Sequence, residues 1–101
     1  MQLLKIYYAY FSPGNTTEKV VSHIASSFQN YPVESINLTD YATRQEDYYF
    51  KENELLIIGV PAYGGRVPAP VVDALRHFTG SNTPVVLVAT YGNRDIDDTL
   101  I

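Results

Sequence analysis

Ser12, Asn15, Thr16 and Thr17 fall in one short stretch, SPGNTT, that combines three hydroxyls and an amide with the turn formers Pro13 and Gly14. Set between a strand and a helix, such a loop turns backbone N–H groups and hydroxyls toward one point, where the helix N-terminus adds partial positive charge. The chemistry is anion binding, and phosphate is the anion that suits it. The same residues also serve an ordinary strand-to-helix turn, since Asn15 with Glu18 three residues on matches a helix capping box. Two further loops repeat the theme at residues 61–66 and 90–94. One carries Ala62, Tyr63, Gly64 and Gly65, the other Tyr91, Gly92 and Asn93. A phosphate site flanked by two tyrosines suits a flat aromatic ligand with a phosphate tail, because a tyrosine ring stacks on another ring system.

These loops need elements that bring them together. Residues 3–10 read as a buried strand, and residues 16–29 as a helix with Val20, Val21, Ile24, Ala25 and Phe28 on one face. Residues 33–38 alternate weakly, as an edge strand does. The tyrosine-rich stretch DYATRQEDYYFKEN reads as a loop with one helical turn. ELLIIGV, residues 54–60, is the most apolar run and the most central strand. Pro70 opens a second helix, over residues 70–79, with Val71, Val72, Leu75 and Phe78 as its buried stripe and Gly80 as its stop. PVVLVAT, residues 84–90, is a fourth buried strand, and DIDDTLI begins a further helix. Strand and helix alternate along one domain spanning residues 1–101, which predicts an α/β fold with a mostly parallel sheet ordered 2-1-3-4 and helices on both faces. In such a sheet the loops after the first, third and fourth strands leave the same carboxyl edge, where ligands bind.

Composition narrows the function. The net charge is −4 and no Lys/Arg cluster appears in the sequence, which disfavours a nucleic-acid partner. There is no cysteine, so disulfides and thiol catalysis are excluded within the chain. Two distant histidines give no metal spacing, G-x-S-x-G is absent, and no residue is assigned a catalytic role. No apolar run is long enough for a transmembrane helix and no signal pattern opens the chain, so the expectation is a cytoplasmic protein with no membrane partner.

The segments FSPGNTTEKV, GVPAYGGRVPAPVVDAL and VVLVATYGNRDIDDTL together resemble the flavodoxins, and most closely the bacterial flavodoxin domains that often precede a ferredoxin segment. The resemblance implies a three-layer fold and an FMN-binding electron-transfer domain that docks a redox partner protein. Ser12, Asn15, Thr16 and Thr17 would hold the FMN phosphate. Ala62, Tyr63 and Gly64 would pass one side of the flavin ring, and Tyr91, Gly92 and Asn93 the other. Arg66 would pair with Asp95, Asp97 or Asp98. Two departures matter. Gly14-Asn15 stands where that family's loop has Thr-Gly, which implies weaker phosphate affinity. Measured against that family, the chain also stops before a fifth strand and the last helices. The alternative that follows is a cofactor-free, truncated domain serving as an assembly or interaction module, either self-associating or completed by the missing C-terminal segment.

Overall fold

Apolar runs at strand spacing alternate with crossovers of helical length, and the described residues form nine elements. The computed structural model describes residues 3–62 and 65–90. In chain order these are β1 (Lys5–Tyr10), α1 (Thr16–Ser26), β2 (Val33–Asn37), α2 (Tyr41–Arg44), β3 (Tyr48–Tyr49), β4 (Glu54–Pro61), α3 (Ala69–Leu75), β5 (Phe78–Thr79) and β6 (Val85–Thr90). Four strands form one parallel sheet in the order β2-β1-β4-β6. This is the expected order of the four long strands. Two further strands of two residues each, β3 and β5, make a separate parallel pair that the sequence reading did not anticipate.

Strand periodicity sorts the side chains into two cores. Ile6, Tyr10 and Ile57 meet Val21 and Ala25 of α1 on one face. Ala9, Ile36, Leu56, Ile58 and Val60 meet Val71 and Ala74 of α3 on the other, with Leu38 and Phe50 in the same cluster. The helices must lie on opposite faces. The step from β1 to β2 runs one way across the sheet and the step from β4 to β6 runs the other, and both crossovers keep the right-handed sense. Reversal of direction between β1 and β4 leaves a crevice at the carboxyl edge there.

Several boundaries differ from the sequence expectation. α1 stops at Ser26, where Ser27 N–H closes onto the Ala25 and Ile24 carbonyls, and Phe28 packs against the core from the turn beyond. The second long helix ends at Leu75, because Phe78 and Thr79 leave it to pair with Tyr48 and Tyr49. Phe78 is therefore a strand residue, its ring 5.3 Å from those of both Tyr48 and Phe50. Val72, assigned to the buried stripe, is exposed. The apolar run of β6 reads as a buried strand and its place in the order as a sheet edge; among the described residues only β4 flanks it, and Val85, Val86 and Leu87 are exposed. The helix expected over DIDDTLI lies outside the described residues. No helix among those described is long and apolar enough to cross a membrane.

Candidate functional site

The carboxyl edge is built from the β1–α1 junction outward. Phe11 N–H donates to the Gly59 carbonyl at 3.2 Å, which carries the β1–β4 ladder one residue past β1. The chain then turns at Ser12, whose N–H donates to Thr39 Oγ1 at 2.8 Å and whose carbonyl accepts from Asn15 N–H at 3.0 Å. Asn15 holds the left-handed conformation, φ 66°, and its side chain caps nothing. Ser12 does the capping, its Oγ accepting from Glu18 N–H at 3.0 Å. The capping box expected from Asn15 and Glu18 is thereby corrected: a left-handed residue at the N-cap aims its side chain away from the first turn, and a hydroxyl further back satisfies the orphan donor.

Thr17 takes a different part. It is buried, and its hydroxyl lies 2.7 Å from that of Thr90, the last residue of β6. Thr90 Oγ1 also reaches the Val60 carbonyl at 3.4 Å. The first turn of α1 is thus tied across the sheet end to β4 and β6. Thr16 and Asn15 are exposed beside Gly14. Glu18 brings a carboxylate into the same turn. Burial raises the Tyr10 phenol above its ordinary value, and the charge of Glu18 adds to that shift.

Ala62 is buried and donates its N–H to the Thr90 carbonyl at 2.9 Å, so it belongs to the sheet ladder more than to an open loop. Gly65 is left-handed, φ 81°, as expected of a glycine in that turn. Ser12, Thr17, Ala62 and Thr90 therefore converge on one edge, with Asn15 and Thr16 on its outer side. Tyr63, Gly64, Tyr91, Gly92 and Asn93 lie outside the described residues, as do the proposed aspartate partners of Arg66.

Sequence reasoning missed a second feature of the same edge. Arg66 and Arg76 line one open hollow of about 700 Å3 with Phe11, Val67, Pro68, Val72 and Asp73. The Arg44 guanidinium stands 5.8 Å from the centre of the Phe11 ring, fixed by hydrogen bonds of 3.1 Å to the Leu38 and Thr39 carbonyls. The absence of a basic run in the sequence hid this pairing, because Arg66 precedes α3 and Arg76 follows it. Among the described residues no group of three or more His, Cys, Asp and Glu side chains converges as a metal site would require.

No protein-family model and no solved structure matches the chain. Among curated proteins, the ribonuclease Z of Staphylococcus aureus strains MSSA476 and MW2 is 42% identical over 62 residues, a match that takes in 55% of this chain and 20% of the relative. The ribonuclease Z of strain JH9 is 40% identical over the same length. The chain matches only about a fifth of the length of these relatives. They are named as ribonucleases and not as flavodoxins, and this corrects the assignment to that family. The reading as an FMN electron-transfer flavoprotein is withdrawn with it, and the cofactor-free assembly module gains no support. The physical reason is that hydroxyl-rich and glycine-rich loops at the carboxyl edge belong to parallel α/β sheets in general. In the first of these loops, Ser12 and Thr17 spend hydrogen bonds on holding α1.

Proposed function

We propose that this chain is a binding domain for a phosphate-bearing ligand, with the phosphate seated at the outward face of residues 14–17 in the crevice between the β1 and β4 loops. The observation that carries this reading is the β1–α1 junction. A left-handed Asn15 with no capping bond precedes an eleven-residue helix, and exposed Gly14, Asn15 and Thr16 leave that helix start open. Backbone N–H groups at such a start favour an anion, and the Ser12 hydroxyl, which only accepts from Glu18, keeps its own proton to donate. Glu18 works against the anion and sets affinity on the modest side.

RNA is one source of such a phosphate. An RNA-processing role is the second reading, and the 42% identity to ribonuclease Z over 62 residues favours it. Nitrogen-15 NMR titration with inorganic phosphate, with FMN as a phosphate monoester, and with a short single-stranded RNA tests both readings. The expected result is movement of the amides of residues 14–17 with every probe and reduced affinity in Ser12→Ala. Unmoved amides at 14–17 with all three probes would overturn the site. Cleavage of an end-labelled RNA by the purified chain would support the ribonuclease reading, and an intact RNA would count against it.

A further inference from the structure

We infer a second ligand site on the α3 side of the same edge, the hollow bounded by Phe11, Val67, Pro68 and Val72 with Arg66 and Arg76 on its rim, shaped for a nucleotide unit whose ring lies on the apolar floor and whose phosphate meets the arginines. It uses none of residues 12–17, so it stands or falls separately from the loop site.

Three observations carry it. The hollow is mostly apolar in its lining although it is open to water, and Val67 and Val72 are both exposed there. An exposed apolar floor beside cations suits a ligand that is flat and hydrophobic at one end and anionic at the other. Among the described residues of the lining the cations outnumber the acid, Arg66 and Arg76 against Asp73. In a chain of net charge −4, that is a local reversal of sign. Finally, Arg44, which is not part of the lining, stands 5.8 Å from the centre of the Phe11 ring and is hydrogen-bonded to the Leu38 and Thr39 carbonyls, which helps to position the one aromatic ring that the hollow presents. Arginine forks recognise phosphate oxygens in pairs, and an aromatic ring accepts a base by stacking. A lone inorganic phosphate would leave the apolar floor unused, and a nucleoside would leave the arginines unpaired.

The same nucleotide chemistry comes from a free mononucleotide or from a single-stranded RNA, and the test separates them. Binding to the full 101-residue chain is measured by calorimetry with UMP, uridine, ribose 5-phosphate and a short oligouridylate, and located by amide shifts. The expected result is UMP binding with shifts at residues 66–69, 72 and 76, and affinity for uridine and for ribose 5-phosphate each lower by roughly tenfold or more. Arg66→Gln and Arg76→Gln, both at exposed positions and checked for folding by circular dichroism, should each weaken UMP by a similar factor. A tighter oligouridylate supports the site with RNA as its source, and equal affinity supports it with a free nucleotide. Shifts confined to residues 14–17, UMP affinity unchanged in both arginine variants, or no UMP binding would each overturn the proposal. Shifts at the hollow that survive in Ser12→Ala would uphold it even where the loop reading fails.

Discussion

Gly59 sits in the middle of β4 directly beneath the first turn of α1, and a Cβ there would collide with Val21 Cγ1 and lie 2.8 Å from Thr17 Cγ2. Helix and sheet approach this closely only over a missing side chain. Gly59→Ala is expected to cost on the order of 1–3 kcal/mol through overpacking, read as a lower midpoint in urea. Because Thr17 is one of the atoms displaced, the Thr17–Thr90 tie should loosen with it. Asn15 is the second sensitive position. Its left-handed backbone costs a residue with an ordinary Cβ about 1–2 kcal/mol, and nothing for glycine. Asn15→Ala should therefore lower the melting temperature, whereas Asn15→Gly should hold or raise it; equal effects would show that the backbone conformation is not the cause. Only the first turn of α1 was partly legible in the sequence. The SPGN turn announced itself, but Asn15 was read as a cap because composition reveals residue type and not the sign of φ. Gly59 gave no signal at all inside ELLIIGV, since close approach of a helix is a tertiary fact.

Among the described elements, α2 has its N-terminus capped by a charged side chain, Asp40. The Asp40 carboxylate accepts from Thr43 N–H at 3.1 Å and from the Thr43 hydroxyl at 2.7 Å. These hydrogen bonds, with Arg44 nearby, hold its pKa below the usual 3.8. A lowered carboxylate pKa means that the contribution is present at and above the ordinary range and is lost as pH falls through the folded value. The cap should thus persist through mildly acid solution and release only in strong acid. The Thr43 amide shift followed from neutral pH downward checks this, and Asp40→Ala should show the released position at every pH. A Thr43 shift that changes near neutral pH would refute the assignment. The sequence called for one helical turn here and the structure has it. The β3–β5 pair was illegible by contrast. Tyr48, Tyr49 and Phe78 are aromatic enough for strands, yet each partner is two residues long, below any period that a pattern can register. Phe78 also fits the spacing of α3, so helix and strand made the same demand on it.

At the scale of the molecule, the parallel order was legible because helix-length crossovers leave few topologies open, whereas the ligand was not, because many functions use the same carboxyl edge. β6 presents a further consequence of that order. Its outer edge has no strand partner among the described residues, it carries no charge, and Leu87 is 65% exposed. Such an edge pairs with other strands unless it is blunted. The 101-residue chain is expected to self-associate in sedimentation equilibrium, and Leu87→Lys should shift it toward monomer. A monomer at all concentrations, unaffected by the lysine, would dismiss edge pairing. The all-parallel ladder also fixes a timetable. Lys5 pairs with Glu54 and Leu56 with Val85, so no strand of the main sheet can zip onto its neighbour through a hairpin. Each ladder waits for a loop closure across a helix or more, which places the chain among slow folders for its size. During synthesis β1 emerges first and must wait, unpaired on both sides, until β2 and then β4 have left the ribosome. The most central part of the sheet is therefore the part longest open to wrong partners, and α1, the first element able to fold on local contacts, is its natural early shield.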